Sequence, residues 1–184
     1  MGLSAREPEQ KEFPLVSEGV HIGICIGVID LGTQYSQVFD RETRKVLIIW
    51  EIPDETIVID EKTLPMAISK TYTLSLHEKA QLRKDIESWR GKALTKEQLN
   101  LGLDLKELFG KACQLQIIHT QGNNDKTYAN ISSIMALPKG TKVPKPVNEF
   151  KYFSFEDEME IPDNIPNWIQ EIIKTSKEWK QRGD

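Results

Sequence analysis

The sequence predicts a mainly-β fold: a five-stranded β-barrel with helices between the third and fourth strands and a further helix near the C-terminus. Three observations predict it. Five segments alternate apolar and polar residues with the period of a half-buried strand. Helix-capping signals fall between the third and fourth of these segments and again after a Pro- and Lys-containing linker. The first strand is broken by glycines, as a strand that must coil tightly would be. At 184 residues and 39% hydrophobic, the chain can bury one substantial core with appendages. The reading divides it into a flexible N-terminal arm (residues 1–18), a barrel domain (19–138), a basic linker (139–148) and an acidic segment with a C-terminal helix docked on the barrel (149–184).

The arm has no sustained period and is anchored, on this reading, by Phe13 and Leu15. From Val20 to Leu31, Ile22, Ile24, Ile26 and Val28 share one face while Gly23 and Gly27 interleave on the other. A long loop, Gly32 to Arg44, leads to a second strand from Lys45 to Ile52, with Val46, Ile48, Trp50 and Ile52 alternating. The third runs from about Ala67 to Leu74, and its Ser69, Thr71 and Thr73 make a polar, wet face. Ser75 and Glu78 have the spacing of a capping box; Leu82, Ile86 and Trp89 make the buried stripe of the helix that follows, closed by Gly91. Thr95 with Gln98, and Asp104 with Glu107, predict two short helices, the second ended by Gly110. A hairpin from Ala112 to Thr120 and from Lys126 to Ala136 turns at the GNND of Gly122 to Asp125. After the linker, Pro166 opens a helix with Trp168, Ile169, Ile172, Ile173 and Ser176 on one side.

Charge is unevenly distributed along the chain. Residues 62–148 carry 14 Lys and Arg against 7 Asp and Glu, a balance of +7, whereas residues 1–61 stand at −7 and residues 149–184 at −4. A basic middle between acidic ends suits a phosphate-bearing partner, and it equally suits a solvated surface of uneven charge. The polar first eighteen residues and the lack of a long apolar run predict a cytoplasmic protein with no membrane partner. Cys25 and Cys113 lie in apolar strands and read as buried free thiols. His21, His77 and His119 occur singly, so no metal site and no cofactor are expected. The phosphate-loop, dinucleotide and nucleophile-elbow signatures are missing, so the chain is read as a non-enzyme. A carboxylate cluster of Asp30, Glu51, Asp54 and Glu55 is the competing reading, as a nuclease.

Three strands, a helical insert and two strands, with a long first loop and a short last hairpin, is the plan of an OB-fold, whose strand 2–3 face and flanking loops hold single strands. The stretch YTLSLHEKAQLRKDIESWRGKALTKEQL, with DLKELFGKACQLQIIH, YANISSIMALPKG and NWIQEIIKTSKEW after it, resembles phage-encoded single-stranded DNA-binding and replication-associated proteins. The resemblance covers most of the chain and rests on structural rather than chemical motifs. It implies an OB barrel that coats single-stranded DNA during phage replication or recombination, in the cytoplasm of a bacterial host. It also departs from that family, because the acidic run EDEME at Glu156 to Glu160 is internal. That segment would be the contact for replication or recombination proteins, and a homodimer stays open.

Strand binding needs rings for base stacking and cations for the backbone. Trp50, Tyr72 and Tyr128 in strands and Tyr35 and Phe39 in the first loop are the candidate rings. Arg41, Arg44, Lys45, Lys70, Lys111 and Lys126 lie near them in sequence, and Arg90 and Lys92 flank Trp89. A core position competes for Trp50, which shares its face with Val46 and Ile48. For Tyr72, Lys70 two residues back favours a wet groove. Lys139, Lys142 and Lys145 recur every third residue in an extended segment and would point one way to track a backbone, a pattern that a plain solvated linker explains equally. The alternative function is an OB-type module that binds a host or replication protein and no nucleic acid.

Overall fold

The computed structural model describes residues 14–183. Its elements are β1 (Gly19–Ser36), β2 (Arg41–Ile59), β3 (Lys62–Thr73), α1 (Gln81–Arg90), α2 (Lys96–Leu101), a 3-10 turn (Leu105–Leu108), β4 (Ala112–Gln121), β5 (Thr127–Met135), β6 (Lys151–Phe153), α3 (Asn167–Lys174) and α4 (Lys177–Arg182). The long strands form one antiparallel sheet in the order β3-β2-β1-β4-β5. It curls until its edge strands β3 and β5 become neighbours, and α1 packs against both.

β1 makes the curl possible by changing partners along its length. Its first residues pair with β4, Gly19 against Ile117 through Ile24 against Ala112. From Ile24 onward its other edge pairs with β2, with a bulge between Cys25 and Gly27. The edge that β4 leaves is taken by β6, parallel to β1 at Gly27–Ile29. The bulge also corrects the single-face reading of this strand. An extra residue inverts the alternation, so Val28 joins the barrel interior and Ile26 the outside. Gly27 is required here, since a Cβ would stand 2.7–2.9 Å from the Ile49 side chain.

The barrel interior is packed by Val46, Ile48, Trp50 and Ile52 of β2, Ile68 and Tyr72 of β3, Leu82, Ile86 and Trp89 of α1, and Leu115, Ile117, Ile131 and Ile134 of the last hairpin. α1 is stitched to both edges of the sheet. Asp85 accepts from Lys70 Nζ at 2.9 Å and Tyr72 OH at 2.6 Å on β3, while Ser88 Oγ donates to the Ile134 carbonyl at 2.5 Å on β5. A second core lies on the outer surface. Ile26, Ile29 and Leu31 of β1 and Leu47 and Ile49 of β2 pack there against Phe153, Ile165, Ile169 and Ile173. The run VLIIW in β2 is thus apolar because both faces of the strand are covered.

Several boundaries differ from the sequence reading. The first loop is a hairpin whose ladder continues to Ser36 against Arg41, leaving a four-residue turn, Gln37 to Asp40. β2 and β3 also extend past Ile52 to a two-residue turn at Asp60 and Glu61, both with positive φ (49° and 66°), the backbone of a type I′ hairpin. The Ser75–Glu78 capping box does not form: α1 starts at Gln81 without a side-chain cap, whereas the Thr95–Gln98 box is complete. The segment after Asp104 is 3-10 rather than α. The C-terminal helix is two helices, broken at Thr175 and Ser176. Of the proposed anchors of the N-terminal arm, Phe13 lies outside the described residues. Leu15 is exposed, and Val16 is the buried residue, held by His119 Nε2 against its carbonyl at 2.8 Å.

Candidate nucleic-acid interface

Burial sorts the candidate rings into two groups. Trp50 is fully buried and stacks at a tilt on Trp89, ring centres 5.7 Å apart. Tyr72 is 3% exposed and gives its hydroxyl to Asp85; burial, then Asp85, raises its pKa. Neither ring can meet a base, which corrects both expectations. The reason is parity: both belong to the barrel-facing residues of their strands, with Ile48 and Ile68. Lys70 follows Tyr72 inward, its ammonium 5.1 Å from that ring and paired with Asp85.

Tyr35, Phe39 and Tyr128 are exposed, at 58%, 71% and 44%. Tyr35 and Phe39 sit at the β1–β2 hairpin end, beside Val38. Tyr35 donates to Asp40 at 2.5 Å, and the Arg41 guanidinium lies 5.6 Å from the centre of the Phe39 ring. At the β4–β5 end, Tyr128 is braced by Asn124 Nδ2 at 3.1 Å, with Lys126 exposed in the turn. Each hairpin end therefore exposes at least one ring and one cation. The two ends lie beyond opposite ends of β1, since the β4–β5 turn passes its N-terminus and the β1–β2 turn follows its C-terminus.

Arg44 and Lys45 do not join them. Arg44 makes a two-pronged pair with buried Asp30, Nε at 3.0 Å and Nη2 at 2.5 Å, and Glu178 stands 3.7 Å away. Asp30 also accepts from the Gly32 and Phe155 amides. This node ties β1 to β2 and to the C-terminal segment, and it removes Arg44 from the cations available to phosphate. Lys45 donates across the ladder to Thr73 Oγ1 at 2.8 Å. Arg90, Lys92 and Lys111 gather elsewhere, around a cleft of about 440 Å³ floored by Trp89 and Leu108. Lys139, Lys142 and Lys145 are exposed.

The sequence predicts that the Ser69, Thr71 and Thr73 face of β3 is polar and wet. Thr71 and Thr73 are exposed, but the neighbouring face of β2 lies beneath α3. Between the two runs a groove of about 460 Å³, walled by Ile49, Ile57, Ile59, Leu64, Ala67 and Trp168, with Lys151 the one cation of its lining among the described residues. Trp168 is 54% exposed, which corrects its placement on the docked side of the helix. Trp168 stands at the edge of the stripe, about 40° of helical turn from Ile172 but about 100° from Ile169.

The carboxylates of the competing reading do not cluster. Asp30 serves Arg44. Glu51, fully buried, accepts from the Val147 and Asn148 amides at 2.7–3.1 Å and from Asn148 Nδ2 at 2.8 Å. Glu55 binds Ser17. Among the described residues no group of three or more His, Cys, Asp or Glu side chains is placed to hold a metal ion. Cys25 and Cys113 are free and buried, and burial pushes the Cys25 thiol up to about 12. Among the described residues no helix is long and apolar enough to cross a membrane. No protein-family model matches the chain, and no curated protein matches it.

Proposed function

We propose that the protein binds single-stranded DNA without sequence preference, on an OB-type barrel, during phage replication or recombination in a bacterial host cell. The strand order supports the OB reading, since β3 and β5 close the sequence of neighbours that β3-β2-β1-β4-β5 leaves open, with the helical insert between the third and fourth strands. One observation carries the binding reading. Both hairpin ends that such barrels use for single strands expose a ring and a cation: Tyr35 and Phe39 with Arg41 over the Phe39 ring at one, and Tyr128 with Lys126 two residues before it at the other. Stacking tolerates any base, and the cations follow the backbone. Lys139, Lys142 and Lys145 extend the basic surface.

Anisotropy of labelled oligo-dT, titrated at several salt concentrations, tests the reading. Binding should weaken with salt, with a log–log slope of about −0.7 for each phosphate neutralised. No binding at low salt would overturn it.

The apolar groove under Trp168 favours a second reading, a module that binds a replication protein. An extended apolar peptide fits its lining better than a phosphate backbone does, given the single cation. A protein complex that survives nuclease treatment, in a preparation that does not bind oligo-dT, would establish this reading instead.

A further inference from the structure

The cleft between α1, α2 and β4 is separate from both hairpin ends. Its cations come from two places in the chain. Arg90 ends α1, Lys92 follows the glycine that caps it, and Lys111 immediately precedes β4. The last position is held by backbone bonds across to β1, Gly110 N to Cys25 O at 2.9 Å and Cys25 N to Lys111 O at 3.0 Å. Roughly 30 Å of extended strand separates Lys111 from the β4–β5 turn.

Four other cations of the barrel and its insert have an acidic partner: Arg44 with Asp30, Lys70 with Asp85, Arg83 with Glu87, Lys106 with Asp157. Among the described residues, Arg90, Lys92 and Lys111 have none within ion-pair distance. Among the described residues, Glu107 is the only carboxylate in the lining. Gln98 adds a donor. Its side-chain oxygen is already taken by Arg90 Nη1 at 3.1 Å and by the Thr95 amide at 3.0 Å, which leaves its NH₂ group for the cleft. The rim is therefore rich in donors and poor in acceptors, over an apolar floor of Trp89, Leu103, Leu108 and Ala112. The carbonyl end of α1 favours cations beside it, which accounts for Arg90 and Lys92; Lys111 belongs to another element and has no such cause.

We propose that this cleft is a binding site for the phosphate group of a nucleotide, with Arg90, Lys92 and Lys111 on the phosphate and the sugar and base over the apolar floor. A volume of about 440 Å³ falls in the range of small-ligand sites, and a phosphate would supply the acceptors that the rim lacks. The site stands independently of strand binding at the hairpin ends.

Titration of the full chain with dTMP, thymidine and inorganic phosphate, followed by ¹H–¹⁵N correlation spectra, tests it. Saturable shifts at Gly91, Lys92 and Lys111 are expected with dTMP and, more weakly, with phosphate, but not with thymidine. Lys111→Gln should weaken dTMP roughly tenfold, the loss of one charge-assisted contact. Glu107→Gln, at an exposed position, should tighten it several-fold, a gain that misfolding cannot imitate. Equal shifts with thymidine and dTMP, no dTMP shifts in the cleft, or an unchanged affinity in both variants would overturn the proposal. Oligo-dT with and without a 5′-phosphate separates the sources. If both move the cleft amides, the ligand is an internal phosphodiester; if only the phosphorylated strand does, it is a monoester. If neither does while dTMP still binds, the site takes free nucleotides.

Discussion

β2 buries both of its faces, and it does so by different means. Inward, Val46, Ile48, Trp50 and Ile52 meet residues of every other barrel strand and α1. Outward, Leu47 and Ile49 meet Phe153, Ile165, Ile169 and Ile173, which follow the barrel in the chain by more than a dozen residues. The inner core belongs to the barrel's own closure, while the outer core is a docked appendage. Its site on the sheet is part of the surface that an OB-type barrel would otherwise offer to a strand. With that surface covered, the rings left exposed among the described residues are those at the hairpin ends, Trp168 at the margin of the appendage, and Phe150, which stacks on Phe109.

The comparison predicts its largest effect inside the barrel. Trp50→Ala removes one of the two tryptophans of the inner core and should cost about 3–5 kcal/mol, read as a lowered denaturant midpoint for the whole molecule. If the C-terminal segment alone came loose, the division into two cores would be wrong. Ile169→Ala should cost about 2–5 kcal/mol but act locally. Amide exchange in β6, α3 and α4 should rise while β4 and β5 stay protected. Equal loss of protection in β4 and β5 would mean that the two cores open as one.

The hinge between them can be weakened by acid. Burial alone would raise the Glu178 carboxyl, but the Thr33 hydroxyl and amide, at 2.5 and 2.6 Å, and Arg44 hold it below its ordinary value of 4.5. A carboxyl lowered in the folded state stabilises the protein above its unfolded value and ceases to do so as pH falls through the folded one. Glu178→Gln should therefore cost about 1.5–3 kcal/mol at neutral pH, and the gap to the parent should shrink below pH 4.5. A gap that stays constant down to strong acid would remove Glu178 from the contact. Glycine at position 32 is part of the same joint: its φ is +70° and a Cβ would stand 2.5 Å from Ser176.

The inner core was legible because the period-two alternation of β2 and β3 and the Leu82–Ile86–Trp89 stripe are local patterns that a curled sheet preserves. The outer core was only half legible. The alternation in VLIIW hides a second buried face, because a strand covered on both sides reads as one continuous apolar run. The bulge after Cys25 was invisible, since nothing in ICIGV marks which residue is extra. The exposed rings were named together with the buried ones, because a ring's neighbours in sequence do not report which face closes on a helix. Asp85, which draws Tyr72 and Lys70 inward, lies 13 and 15 residues away from them.

Aromatic rings make the smallest effect on stability the most informative. Phe39 is 71% exposed and holds only Arg41 over its face, so Phe39→Ala should change stability by no more than about 0.5 kcal/mol. On the binding reading it should still weaken oligo-dT by about 1–3 kcal/mol, the worth of one stacked base, and Tyr128→Ala should do the same. Tyr72→Phe is the complement. It deletes a hydroxyl bonded to Asp85 inside the barrel, should cost about 1–3 kcal/mol of stability, and should leave oligo-dT affinity unchanged. If Tyr72→Phe weakened the strand and Phe39→Ala did not, binding would have to follow the barrel's integrity rather than its exposed rings. The hairpin ends would then lose their claim to the interface.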